Sequence, residues 1–199
     1  LPSFLTPVVL KVLDVAFPQF IAGSNVLATS LENIGAVFHP ALTLMNAAWI
    51  ESTGGDFEYY LQGISPSVAK VLQAIDDERL ALARALGIRT VSAREWLYLT
   101  YDASGADLCS AIRATTSYAG IKAPRTIDHR YVWEDVPMSL VPMASMAQMY
   151  KVDTPAIDLT IDLANLMHGC DYRANGRTVR TLGIEGLSVE DLHRLVTEG

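Results

Sequence analysis

Three observations predict an all-α fold. Strand-type alternation of apolar and polar residues is nearly absent from the 199 residues. The segment "SPSVAKVLQAIDDERLALARALG" carries a helical apolar stripe with a start and a stop signal at its ends. Prolines further along the chain fall where helices would begin, in their first turns. Half the residues are hydrophobic, so the chain is long enough to bury a sizeable core.

Taken in order, residues 1–24 read as an irregular lead-in, because Pro2, Pro7 and Pro18 interrupt any long helix. Ser24 or Asn25 can cap a helix running through "VLATSLENIGAVF" and on into "HPALTLMNAAWIE". A polar turn, "STGGD", leads to the short aromatic stretch "FEYYLQG". The best-marked helix follows. Ser65 caps it, Pro66 takes its first position and Gly87 ends it, with Val68, Val71, Leu72, Ile75, Leu80, Leu82 and Leu86 supplying the stripe. "SAREWLYLTYD" and "SGADLCSAIRATTSY" read as two shorter helices, and "GIKAPRTIDHRYVWED" as a loop with little regular structure. One helix is expected from Pro137 and another from Thr154–Pro155, then the turn "NGRTVRTLG" and a last helix in "SVEDLHRLVTE". No internal repeat or low-complexity linker divides the chain, which is read as one unit over 1–199.

Composition excludes several classes of partner. The formal net charge is −7 and no Lys/Arg cluster offsets it, which argues against nucleic-acid and anionic-membrane surfaces. Pro, Asn, Asp or His breaks every apolar run before it could span a bilayer. The apolar opening has no basic n-region, so no signal peptide is expected. Cys109 and Cys170 match no metal or redox spacing and read as reduced thiols of a cytoplasmic protein. A first residue of Leu rather than Met suggests a piece of something longer.

The candidate site begins in "NIGAVFHPALTLMNAAWIE". On a helix, Glu32, Gly35, His39, Thr43 and Asn46 share a narrow polar stripe, and Gly35 leaves space beside the histidine. Leu31, Ile34, Phe38, Leu42, Met45 and Trp49 fill the remaining surface. Pro40 cannot donate its N–H, so the helix should kink or restart there and turn the imidazole toward a cavity. The competing reading is a core histidine paired to a backbone carbonyl. No metal site is expected, because no other His or Cys stands at ligand spacing. A second constellation, "HRYVWEDVPMSLVP", sets Glu134 and Asp135 just before the helix at Pro137, with Arg130 upstream. By themselves Asp135 reads as a helix cap and Arg130 as a surface ion pair.

Together these stretches resemble the C-terminal helical domain of the octopine/nopaline (opine) dehydrogenase family. "NVLATSLENIGAVFHPALTLMNAAWIE" is similar to that family's histidine helix and "DDERLALARALGI" to its central helix. "RYVWEDVPMSLVPMASMAQMYKVDTPAIDLTIDLA" is similar to its acidic loop and next two helices, and "GRTVRTLGIEGLS" to its closing turn. The resemblance covers nearly all of residues 20–190. It implies an all-α domain of the 6-phosphogluconate-dehydrogenase C-terminal type, without the Rossmann domain that precedes it in the family. It implies His39 and Asp135 as the catalytic pair, Arg130 and Asn46 as substrate-binding residues, and a less defined polar role for Glu51. The implied reaction joins an amino acid to a 2-oxo acid with NAD or NADP. The cofactor is held mainly by the missing domain, since no GxGxxG occurs in this chain. A homodimer is a further implied partner state. Two alternatives stand beside this: a ketopantoate-reductase-like or 2-hydroxyacid dehydrogenase domain, and a non-catalytic helical dimerisation module.

Overall fold

The computed structural model describes residues 3–198. Among them no strand forms. The one β feature is an isolated antiparallel bridge between Glu58 and Lys122. The chain is helical throughout, as its periodicity predicts.

A short 3-10 turn at Ser3–Leu5 leads into helix α1, Thr6–Leu13. This corrects the expected irregular lead-in over part of its length. Pro7 lies in the first turn of α1, where a missing N–H breaks no intrahelical bond, so it starts the helix instead of blocking it. No side chain of α1 is buried.

Asn25 caps α2, Val26–Leu31, by accepting from the backbone N–H groups of Leu27 and Ala28. The helix expected to run from here through Phe38 stops at Leu31 and resumes as α3, Gly35–Met45. The cause lies in the core. Arg79, fully buried, donates from Nη1 to the Leu31 carbonyl and so draws that carbonyl out of a continuing helix. Pro40 neither breaks nor restarts α3. The helix passes through it, and the next break comes at Asn46, before α4, Ala47–Thr53.

Helix α5, Pro66–Ala85, is the central beam, with the Ser65 cap in place. It packs against α3, α7, α9 and α10. Leu72, Ile75 and Leu82 are completely buried along it. Asp76 and Arg79 are also completely buried and paired, Arg79 Nη2 lying 2.6 Å from Asp76 Oδ1. Arg79 further donates to Thr90 Oγ1 and to the Val91 carbonyl, and Asp76 accepts from the Ala93 N–H. This pair therefore fastens α2, α5 and the start of α6, Ala93–Tyr101, at one point.

Helix α7 covers Leu108–Ala114. The stretch expected to be a structureless loop contains a one-turn helix, α8, Arg130–Trp133, because the His129 side chain accepts from the Tyr131 N–H and caps it. Five residues wound as π-helix, Val136–Leu140, follow and run directly into α9, Val141–Met149. Helix α10, Pro155–His168, is tied to α5 by Glu78, which accepts from the N–H groups of Ala156 and Ile157. Burial raises the Glu78 pKa and these two hydrogen bonds oppose it. The short α11, Tyr172–Asn175, and the closing α12, Val189–Glu198, complete the fold. Among the described residues no helix is long and apolar enough to cross a membrane.

Candidate functional site

His39 projects from the middle of α3 toward the point where the chain enters the π-helix. Its Nδ1 lies 2.8 Å from Oδ2 of Asp135, across a sequence separation of 96 residues. Both side chains are mostly but not wholly buried, at 23% and 15% exposure. Asp135 makes no capping bond to the helix it precedes, so the helix-cap reading of this residue is set aside. Its carboxylate turns to the imidazole instead.

Aromatic side chains enclose the histidine. Nε2 lies 2.9 Å from the Tyr60 hydroxyl, and the Tyr131 ring stacks on the imidazole with centroids 4.0 Å apart. Tyr59 donates to the His39 main-chain carbonyl at 3.0 Å, and its hydroxyl lies 2.7 Å from Thr43 Oγ1 on the same helix face. Burial raises the phenol pKa of Tyr59 well above its ordinary value, and does the same for Tyr60 and Tyr118. These hydroxyls therefore stay protonated, and those of Tyr59 and Tyr60 serve as hydrogen-bonding groups. Burial, then the charges of Arg130 and His39, lower the pKa of His129.

Gly35 gives the imidazole its room. A methyl group placed there would sit 3.1 Å from both Nδ1 and Cε1 of His39, and 3.1 Å from Oδ1 of Asn33. Asn33 in turn donates to Ser139 Oγ at 3.2 Å. Beyond this link, between α2, α9 and α12, opens a cavity of about 540 Å³. Leu27, Met143, Met146 and Leu192 supply apolar walls, and Arg177 also lines it.

The remaining sequence candidates fall elsewhere. Asn46 donates to the carbonyls of Leu42 and Gly63, at 2.8 and 3.0 Å. Both amide hydrogens are thus used in tying the end of α3 to the loop that carries Tyr59 and Tyr60, so neither is free to point toward a substrate. Arg130 is 63% exposed and pairs with Glu134, each of two guanidinium nitrogens lying 3.2 Å from a carboxylate oxygen. Among the described residues no hydrogen bond joins Arg130 to the dyad. Glu51 is exposed on α4. Sequence reasoning missed Tyr59, Tyr60 and Tyr131. The available signal was "FEYYLQG", since adjacent tyrosines in a buried turn need partners for their hydroxyls.

The arrangement can hold and relay a proton: a carboxylate orients an imidazole whose other nitrogen meets a phenol. Among the described residues no cluster of three or more His, Cys, Asp or Glu side chains could hold a metal ion. Nor do the described residues include a strand–turn–helix unit with a glycine-rich turn, so they do not fit a dinucleotide cradle.

Comparison with known proteins points one way. Residues 22–168 match the model of the family described as NAD/NADP octopine/nopaline dehydrogenase, alpha-helical domain. An opine dehydrogenase from Arthrobacter sp. (strain 1C) is 39% identical over 196 residues, covering 98% of this chain and 54% of that protein. Protein ocs of Agrobacterium tumefaciens (strain Ach5) is 25% identical over 182 residues, covering 91% of this chain and 51% of its own. The chain thus spans about half the length of these relatives. Octopine dehydrogenase solved with NADH and L-arginine superposes with a TM-score of 0.74 at 23% identity, over 96% of this chain and 54% of that one. That likeness establishes the fold.

Proposed function

The chain belongs to the octopine/nopaline dehydrogenase family by that family's α-helical domain, and from this we propose that residues 1–199 are the catalytic and substrate-binding part of an NAD(P)-dependent opine dehydrogenase. The reaction is the reductive condensation of an amino acid with a 2-oxo acid. The observation that carries the reading is the His39–Asp135 contact, which joins two partly exposed groups suited to proton transfer across 96 residues.

The chemistry assigned to this chain is proton handling and anchoring. Condensation of an amine with a ketone expels water, and the departing oxygen needs a proton. The reverse direction needs a base to take a proton from attacking water. Imidazole does both near neutral pH. Asp135, a carboxylate that accepts from Nδ1–H, fixes the ring's orientation and stabilises its protonated form. Arg130 offers a planar, permanently charged fork to a substrate carboxylate, exchanging Glu134 for the substrate. Binding of NAD or NADP is assigned to a partner domain. The exposed apolar side chains Val8, Val12, Val15, Phe17, Phe20 and Ile21 along the N-terminal segment support a covering partner of that kind.

The test is made in the intact protein, with amino acid, 2-oxo acid and reduced nicotinamide supplied together. Activity that survives unchanged in both His39→Ala and Asp135→Asn would return this chain to the reading of a non-catalytic helical module.

A further inference from the structure

Neither ring nitrogen of His39 is open. Nδ1 meets Asp135 and Nε2 meets the Tyr60 hydroxyl. We infer that Tyr60 is a positioning residue for His39: its hydroxyl donates to Nε2 and fixes the imidazole's orientation, with the Nδ1 proton directed to Asp135.

The direction of the bond follows from the inventory of donors. An ionised carboxylate only accepts, so the proton on the Asp135 side belongs to Nδ1. A neutral ring then presents a lone pair at Nε2, and the group facing it must donate. Tyr60 has one hydrogen to give. Were the ring protonated, Nε2–H would point at the phenol oxygen, a poor acceptor because its lone pair is conjugated into the ring. Tyr60 therefore favours the base form of His39 while Asp135 favours the acid form. The two partners act as counterweights, and a group that must both give and take a proton in one catalytic cycle needs that balance.

The packing holds Tyr60 to this task. The residue is buried, its ring stacks on Tyr118 at 4.1 Å and meets Tyr59 edge-on at 4.9 Å. The other titratable groups around His39 do not replace it. Tyr131 contacts the face of the ring, not its edge, and His129 meets the Tyr131 ring edge-on. Tyr59 is engaged with the main chain and Thr43. From α5, Asp76 and Arg79 are fully buried and satisfy each other.

This inference rests on the dehydrogenase reading only for its kinetic arm. The experiment is Tyr60→Phe in the intact protein, with nitrogen-15-labelled histidine and the His39 signals identified by their loss in His39→Gln. Phenylalanine keeps the stack on Tyr118 and removes only the hydroxyl. The Nε2 resonance should move toward that of a ring nitrogen without a hydrogen bond. The acid limb of the pH–rate profile for opine oxidation, the direction that needs the free base, should move to higher pH by about half a unit to one unit, the worth of one hydrogen bond. The rate constant kcat should fall while substrate KM holds. A ring-fluorinated tyrosine at position 60, a stronger donor, should move the acid limb the opposite way. If the Nε2 signal stays where it was, or the acid limb stays or moves to lower pH in Tyr60→Phe, Tyr60 merely packs. Should the intact protein show no dehydrogenase activity, the Nε2 signal still decides the matter, and the proposed function fails separately.

Discussion

His39 is held by its surroundings at every polar edge, so changes at single residues should act through it in distinguishable ways. Asp135→Asn removes the negative charge that favours the protonated ring. In the intact protein it should move the acid limb of the pH–rate profile for opine oxidation, which reports the free base, to lower pH and reduce activity by roughly 10²–10⁴, the usual worth of a general acid or base. Because the two residues act as a unit, the double variant with His39→Ala should be little worse than His39→Ala alone. Losses that multiply would contradict the dyad. Gly35→Ala separates activity from stability. The methyl group would stand 3.1 Å from the imidazole and displace it, yet at the first position of α3 a glycine-to-alanine change has little helix-propensity cost. Kinetics should therefore worsen while the unfolding midpoint holds. For Arg130→Lys, loss of the fork should weaken one carboxylate substrate by about 1.5–3 kcal/mol, read as a rise in its KM alone. An unchanged KM for both substrates would leave Arg130 as a surface partner of Glu134. The room beside His39 was legible in the sequence, because helical spacing relates Gly35 to His39 directly. Tyr60 was not, since it reaches Nε2 from a turn that no periodicity connects to α3.

Between residues and fold stand the helices, whose ends the sequence marked better than their interruptions. The Asn25, Ser65 and Pro66 signals operate locally, and the structure has the helix starts where they stand. The break after Leu31 has no local cause. It depends on Arg79, 48 residues away, donating to the Leu31 carbonyl from inside the core. Read as one turn of a charged helix, "DDER" does not announce that two of its members are completely buried. Arg79→Met should consequently destabilise the domain by about 3–5 kcal/mol, because it leaves the Asp76 carboxylate in the interior with the Ala93 N–H but without its cationic partner. Urea unfolding followed by helical circular dichroism would measure it. A change below 1 kcal/mol would mean that water reaches the pair. Pro7 gives the opposite lesson: the same residue that was read as a helix breaker opens α1, and only its position in the first turn decides between the two.

Across the whole molecule, the site is a product of folding and not of any one segment. α3 brings His39, the turn after α4 brings Tyr59 and Tyr60, and the far side of the chain brings Asp135. What reconciles these demands is the π-helical stretch Val136–Leu140. Asp135 must look toward α3, while α9, with Val141, Ala144 and Ala147 buried in the core, must pack against α5. An uninterrupted α-helix advances about 100° per residue, and its wider π turn resets that phase by close to one residue. The stretch works like a vernier between two angular scales, letting the face that carries Asp135 and the packing face be tuned apart. Removing one residue, for instance the partly exposed Met138, should restore an even winding that satisfies only one face. The outcome to look for is a folded domain without the imidazole–carboxylate bond, or the bond kept at a clear loss of thermal stability. If both the bond and the stability survive the deletion, the π turn is ornamental. Otherwise length, not chemistry, is the property on which this joint depends.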